Sequence, residues 1–280
     1  MDLPFCFRCA ALAALCAFAA TAPAHDTWFD PAGGELALGT GTTYPLRESG
    51  IDAKYLVHDG CRSGAELRPL QPLRNIDDAL VVAEPPGPAS CWAQLTPFEI
   101  ELAPDKIALY LHEVRPPRPL LDAWSAMQAR GLPWKERYTK HARISLGAGS
   151  AADAEPSGMD MDVVIESRSP LVFRVLRDGR PLPGFNVELR YERARFGIWR
   201  RTDDQGRLEF KPPLPGRWLL RGVDLRLSDH GPDAFDSRFV TLVFEAPAQN
   251  GSSLKFNARS ASQIAATTTI AAEPSTNTPR

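Results

Sequence analysis

The chain is expected to be all-β with a minor helical part: an N-terminal β-sandwich followed by an immunoglobulin- or transthyretin-like β-sandwich. Short β-rich segments bounded by Gly, Pro, Asp or Asn recur throughout, as in Lys54-Tyr55-Leu56-Val57-His58 and Cys91-Trp92-Ala93-Gln94-Leu95. Segments of that length and spacing suit antiparallel sandwiches rather than βαβ units. The 280 residues are 44% hydrophobic, and at ~100–200 residues per domain they suggest two domains.

Taken in order, residues 1–24 carry Arg8, an apolar run from Cys9 and the small-residue site Ala22-Pro23-Ala24. This is the layout of a secretory signal. Cleavage after Ala24 would place the protein in the periplasm with His25 as its first residue. The apolar run is too short to span a bilayer, so no stable membrane insertion is expected after processing.

Residues 25–146 read as the N-terminal β domain with a helical insert. Gly33-Gly34 and Gly39-Thr40-Gly41 punctuate a strand at 35–38, and further strands are read at 54–58, 79–82, 91–95 and 107–111. A helix is predicted over 119–130, where Leu120, Trp124 and Met127 share one face, Pro119 opens the first turn and Gly131 follows the end. The same spacing of Trp134 and Tyr138 suggests a second short helix before a strand at 142–146. Residues 147–160 read as a linker; Met159-Asp160-Met161-Asp162 at its end is a strand lead-in rather than a thioether site.

The second sandwich, 161–246, is read from strands at 171–176, 186–191, 202–210, 215–220 and 240–244, with a hairpin turn at Arg177-Asp178-Gly179-Arg180. Residues 247–280, rich in Ala, Ser, Thr, Asn and Gln, are expected to be disordered.

A net charge of -2 with acids and bases interleaved excludes a nucleic-acid footprint. Of the 5 cysteines, Cys6, Cys9 and Cys16 lie in the leader, leaving Cys61 and Cys91. In an exported chain these form one disulfide, closing a loop of about thirty residues. No Gly-x-Ser-x-Gly elbow, His-Glu-x-x-His helix or phosphate loop is present, so nothing points to a hydrolase.

The distinctive chemistry is at His25. A first-residue histidine can close its free α-amine and its ring nitrogen on one metal ion, a chelate no internal histidine forms. The competing reading is a chain start that merely exposes a histidine. Trp28 and Pro31 are expected to tuck the following strand into the sheet. The other histidines read as follows: His58 and His112 as strand-end polar residues, His141 on a solvated face beside Arg143, and His230 in a polar turn near Asp229, Asp233 and Asp236.

The His25-x-x-Trp28 start, Tyr110-Leu111-His112-Glu113, Glu136-Arg137-Tyr138-Thr139-Lys140, Asp178-Gly179-Arg180-Pro181-Leu182, Thr202-Asp203-Asp204-Gln205-Gly206-Arg207 and Gly216-Arg217-Trp218-Leu219 together resemble the DUF4198 family. That family is described as periplasmic and related to components of cobalt and nickel uptake. The resemblance implies a nickel- or cobalt-binding protein, with copper as an alternative and a membrane metal transporter as a partner. The family's pattern often has a histidine where this chain has Asp224, a harder ligand than imidazole. His25, Asp224 and His230 are therefore the candidate ligands. The rival expectations are a copper histidine-brace oxidoreductase and a metal-free module that binds a protein or glycan.

Overall fold

The computed structural model describes residues 25–147 and 151–247. The expected leader and C-terminal tail, and residues 148–150 of the expected linker, lie outside the described residues. The described chain is all-β with a minor helical part.

The strands in chain order are β1 (Asp26–Ala32), β2 (Glu35–Gly41), β3 (Ser49–Gly50), β4 (Leu56–Ser63), β5 (Glu66–Arg68), β6 (Pro72–Ile76), β7 (Ala79–Ala83), β8 (Ala89–Leu95) and β9 (Phe98–Leu102). Helices α1 (Pro104–Val114) and α2 (Arg118–Ala129) follow. Then come β10 (Trp134–Leu146), β11 (Met161–Arg168), β12 (Leu171–Arg177), β13 (Arg180–Pro181), β14 (Asn186–Tyr191), β15 (Ile198–Arg201), β16 (Arg207–Glu209), β17 (Gly216–Leu227) and β18 (Phe235–Ala246).

A 9-stranded sheet runs in the order β15-β14-β17-β18-β10-β8-β4-β5, with β9 on β10. Its ladders are antiparallel except β10 with β18, which is parallel. A 5-stranded sheet, β1-β2-β7-β6 with β3, and a 4-stranded sheet, β11-β12-β13 with β16, complete the β structure. Strand alternation gives the large sheet two faces. Trp218 and Leu220 of β17 and Leu242 and Phe244 of β18 pack with Val163, Phe173 and Val175 of the 4-stranded sheet. On the other face, Leu219, Val243 and Ile144 pack with Trp28, Phe29 and Leu36 of the 5-stranded sheet. Further along that same face, Val223, Phe235, Phe239 and Trp134 pack with Ile107 and Tyr110 of α1 and Trp124 and Met127 of α2. Two apolar patches thus share one face, one under the small sheet and one under the helices.

Two elements differ from the sequence reading. Residues 107–111 belong to α1 rather than a strand: Ile107, Tyr110 and Val114 recur at helical spacing, with Pro104 in the first turn. Residues 134–141 are the first part of β10, not a helix. The four-residue spacing of Trp134 and Tyr138 is also two periods of a strand, and Trp134 stacks on Phe235 at 4.2 Å between ring centroids. The strands read at 79–82, 171–176 and 186–191 match β7, β12 and β14, whereas residues 54 and 55 form a short 3-10 turn before β4 and only Arg207–Glu209 of the strand read at 202–210 is strand. Asp178 and Gly179 both have positive φ, 51° and 71°, the turn geometry that an Asp-Gly pair favours in a two-residue hairpin.

Cys61 and Cys91 face each other across β4 and β8 and form a disulfide. Closing a 30-residue separation contributes ~3–4 kcal/mol on the chain-entropy account. Replacing both cysteines by alanine is expected to lower the unfolding free energy by that amount in urea titrations.

The odd positions of β10 carry a buried polar ladder. His141 bonds the Phe239 carbonyl and Asp160, Arg143 bonds Asp162, and Ser145 accepts from Arg168. The sequence reading placed His141 on a solvated face. The alternation is as read, but residues 151–162 lie over that face and bury it. Both His141 ring nitrogens meet oxygen partners, the Phe239 carbonyl and Asp160. Met159 and Met161 are buried beside this ladder, Met161 as the first residue of β11.

Candidate functional site

The gap between the two apolar patches holds charge. β1 begins there, lying across β10 and β18, and its first residues are drawn in by a core that includes Trp28 and Phe29. Thr241 donates to the Thr27 carbonyl at 2.5 Å, tying β1 to the large sheet. Asp26 is 1% exposed and pairs with Arg221, 2% exposed. Arg221 also pairs with Glu188 at 3.0 Å, directly opposite on β14, and Glu188 with Arg190 at 2.9 Å. Arg190 donates to the Thr42 carbonyl. The Thr42 amide donates to Glu48 at 3.1 Å, and Glu48 in turn meets His25 Nε2 at 2.9 Å. A chain of bonds therefore leads from the His25 ring through Glu48, Thr42, Arg190, Glu188 and Arg221 back to Asp26, the residue after His25.

Two more charged groups reach this gap without an ion pair of their own among the described residues. Burial pushes the half-buried Glu113, near the end of α1, above the ordinary carboxylate range, and the Arg221 guanidinium opposes that rise. Burial also lowers Lys140 of β10 to about 8, with the Asp26 charge holding it up. Asp26 Oδ1 is buried and has no hydrogen-bond partner among the described residues. The other oxygen of that carboxylate pairs with the Arg221 guanidinium. Around Glu48 the balance differs: the Thr42 amide and hydroxyl and the His25 ring hold its carboxyl below the usual range.

The three sequence-derived ligand candidates are not brought together. His25 stands at the start of β1 against Glu48. Asp224 lies three residues beyond Arg221 on β17 and so on the opposite face of the sheet, where it pairs with Arg177 and Arg226. His230 is exposed in the turn after β17. That strand continues six residues past Arg221 to Leu227, which at ~3.3 Å per residue puts the turn roughly 20 Å away. Among the described residues no three His, Cys, Asp or Glu side chains converge as a metal cluster.

Of the remaining histidines, His58 Nε2 bonds the Ser157 carbonyl at 2.9 Å and its ring stacks on Trp92. His112 is exposed in the last turn of α1, not at a strand end. Sequence reasoning did not find Glu48, Arg190 or Arg221 as neighbours of His25. They come from a loop and two separate strands, and no spacing in the chain records a contact across the sheet. Compared with protein families, curated proteins and solved structures, the chain finds no match.

Proposed function

We propose that the processed chain is a periplasmic protein that binds a divalent transition metal, nickel or cobalt with copper as the alternative, through the amine and ring of His25. The metal is cargo, taken up or delivered with a membrane transporter as partner. The observation that carries this reading is the Nε2 contact with Glu48. A chelate with the α-amine closes only through Nδ1, which forms a six-membered ring with the metal. Glu48 accepting from Nε2–H favours the tautomer that leaves the Nδ1 lone pair free. Nδ1 itself has no hydrogen-bond partner among the described residues.

Calorimetric titration of nickel, cobalt and copper into the chain starting at His25 tests this. Binding tighter than ~100 μM is expected, and one alanine placed before His25, which moves the amine by about 3.8 Å, is expected to abolish it. Undiminished binding to the alanine-extended chain would overturn the reading. Glu48→Gln is expected to weaken binding 10–100-fold, by the usual effect of removing the partner behind a ligating histidine, while leaving the urea midpoint in place.

A further inference from the structure

We infer that the β14–β15 hairpin tip is a docking surface for an anionic phospholipid membrane. The tip, residues 192–197, projects where the large sheet ends, because β15 is its edge strand. Phe196 at this tip is 81% exposed, the most exposed of the large apolar side chains among the described residues. Arg195 stands beside it, its guanidinium 5.9 Å from the Phe196 ring, and Arg200 and Arg201 lie further along the edge strand β15, opposite Val187 and Asn186. Arg115, at the end of α1, stacks 4.1 Å from the Trp199 ring and joins the same edge.

None of these four arginines has a carboxylate partner among the described residues, whereas most of the chain's other arginines do. Arg200 and Arg201 bond only backbone carbonyls, of Trp199 and Gly184. A chain with net charge -2 thus gathers unneutralised positive charge at one hairpin. At the other end of the hairpin, Pro116, Pro117, Leu120 and Phe185 line an open groove that Arg115, Arg201 and Asp224 also border.

Charge on an edge strand serves by itself to keep sheets from pairing. That role does not call for an exposed phenylalanine at the tip, which water disfavours and a soluble polyanion has no place for. An exposed aromatic tip on an edge that carries unpaired arginines matches the boundary of an anionic bilayer, with the ring among the acyl chains and the guanidinium groups at the phosphates. This surface is independent of the His25 site.

Sedimentation of the processed protein with phosphatidylcholine vesicles, with and without about one third phosphatidylglycerol, tests the inference. Binding is expected only with the anionic lipid and is expected to fall steeply at high salt. Each arginine near the surface is worth about fivefold, so Arg195→Gln, Arg200→Gln and Arg201→Gln together are expected to weaken binding on the order of a hundredfold. Phe196→Ser is expected to weaken it about tenfold or more. These positions are exposed, so the variants keep the wild-type urea midpoint. No binding to the anionic vesicles, equal binding by both variants, or binding to heparin that is indifferent to Phe196→Ser and unaccompanied by vesicle binding would overturn it.

Discussion

Asp162→Ala is expected to lower the unfolding free energy by about 3–5 kcal/mol, the effect of removing one partner of a buried ion pair. Asp162 and Arg143 are each 1% exposed. Arg143 Nη1 meets both Asp162 oxygens at 3.0 Å. Its remaining donors go to Ser90 Oγ and to the Ala152 and Glu155 carbonyls. Asp162 also accepts from the Ser157 amide and hydroxyl. Without the carboxylate, a guanidinium stays buried with no counter-charge and the 151–162 segment loses its anchor. The loss should appear in urea as a lower midpoint with an unchanged slope. The double variant Arg143→Met, Asp162→Leu should recover much of it, because the penalty comes from the stranded charge rather than from the missing attraction. A loss under about 1 kcal/mol for Asp162→Ala would show that the ladder is solvated in solution.

Arg221→Ala is expected to cost a similar ~3–5 kcal/mol, with a pH dependence that identifies the cause. Removing the guanidinium leaves Asp26 and Glu188 facing each other without their shared cation, and both were buried around it. Desolvation and mutual repulsion then raise their folded-state pKa values above those of the unfolded chain. Raised carboxylates bind protons on folding, so the variant is stabilised by acid and loses stability as pH rises through the raised values. The gap to wild type should therefore narrow between neutral pH and about pH 4, near the ordinary carboxylate range. A gap that stays constant with pH would assign the loss to packing alone. Arg221→Lys keeps a charge but not the planar fork that serves two carboxylates, and should fall between the two.

Much of the secondary structure was legible because local signals and tertiary packing agreed. The predicted helix at 119–130 is α2 within a residue at each end, and the strand read at 186–191 is β14. Where the reading failed, one local pattern served two structures. The run Ile107-Ala108-Leu109-Tyr110-Leu111 is short enough for a buried strand, and only Val114 and Pro104 outside it reveal the helix. Trp134 and Tyr138 fit either period, and the ladders to β9 and β18 decide in favour of a strand. His141 was assigned to the correct face of its strand, but what covers that face comes from residues 151–162.

By itself, the sequence determined the all-β class, most strand positions, the hairpin at Asp178-Gly179 and the disulfide pair, because each depends on residues close together in the chain or on the only two cysteines after residue 24. It also singled out His25. Tertiary structure alone decided what stands around that histidine. Asp26, Glu48, Glu113, Lys140, Glu188 and Arg221 come from four strands, a helix and a loop, and they meet because two apolar patches on one sheet face leave a seam between them. Which charges fill that seam depends on strand order and facing. Asp224, only three residues from Arg221, is turned to the other side of the sheet for the same reason.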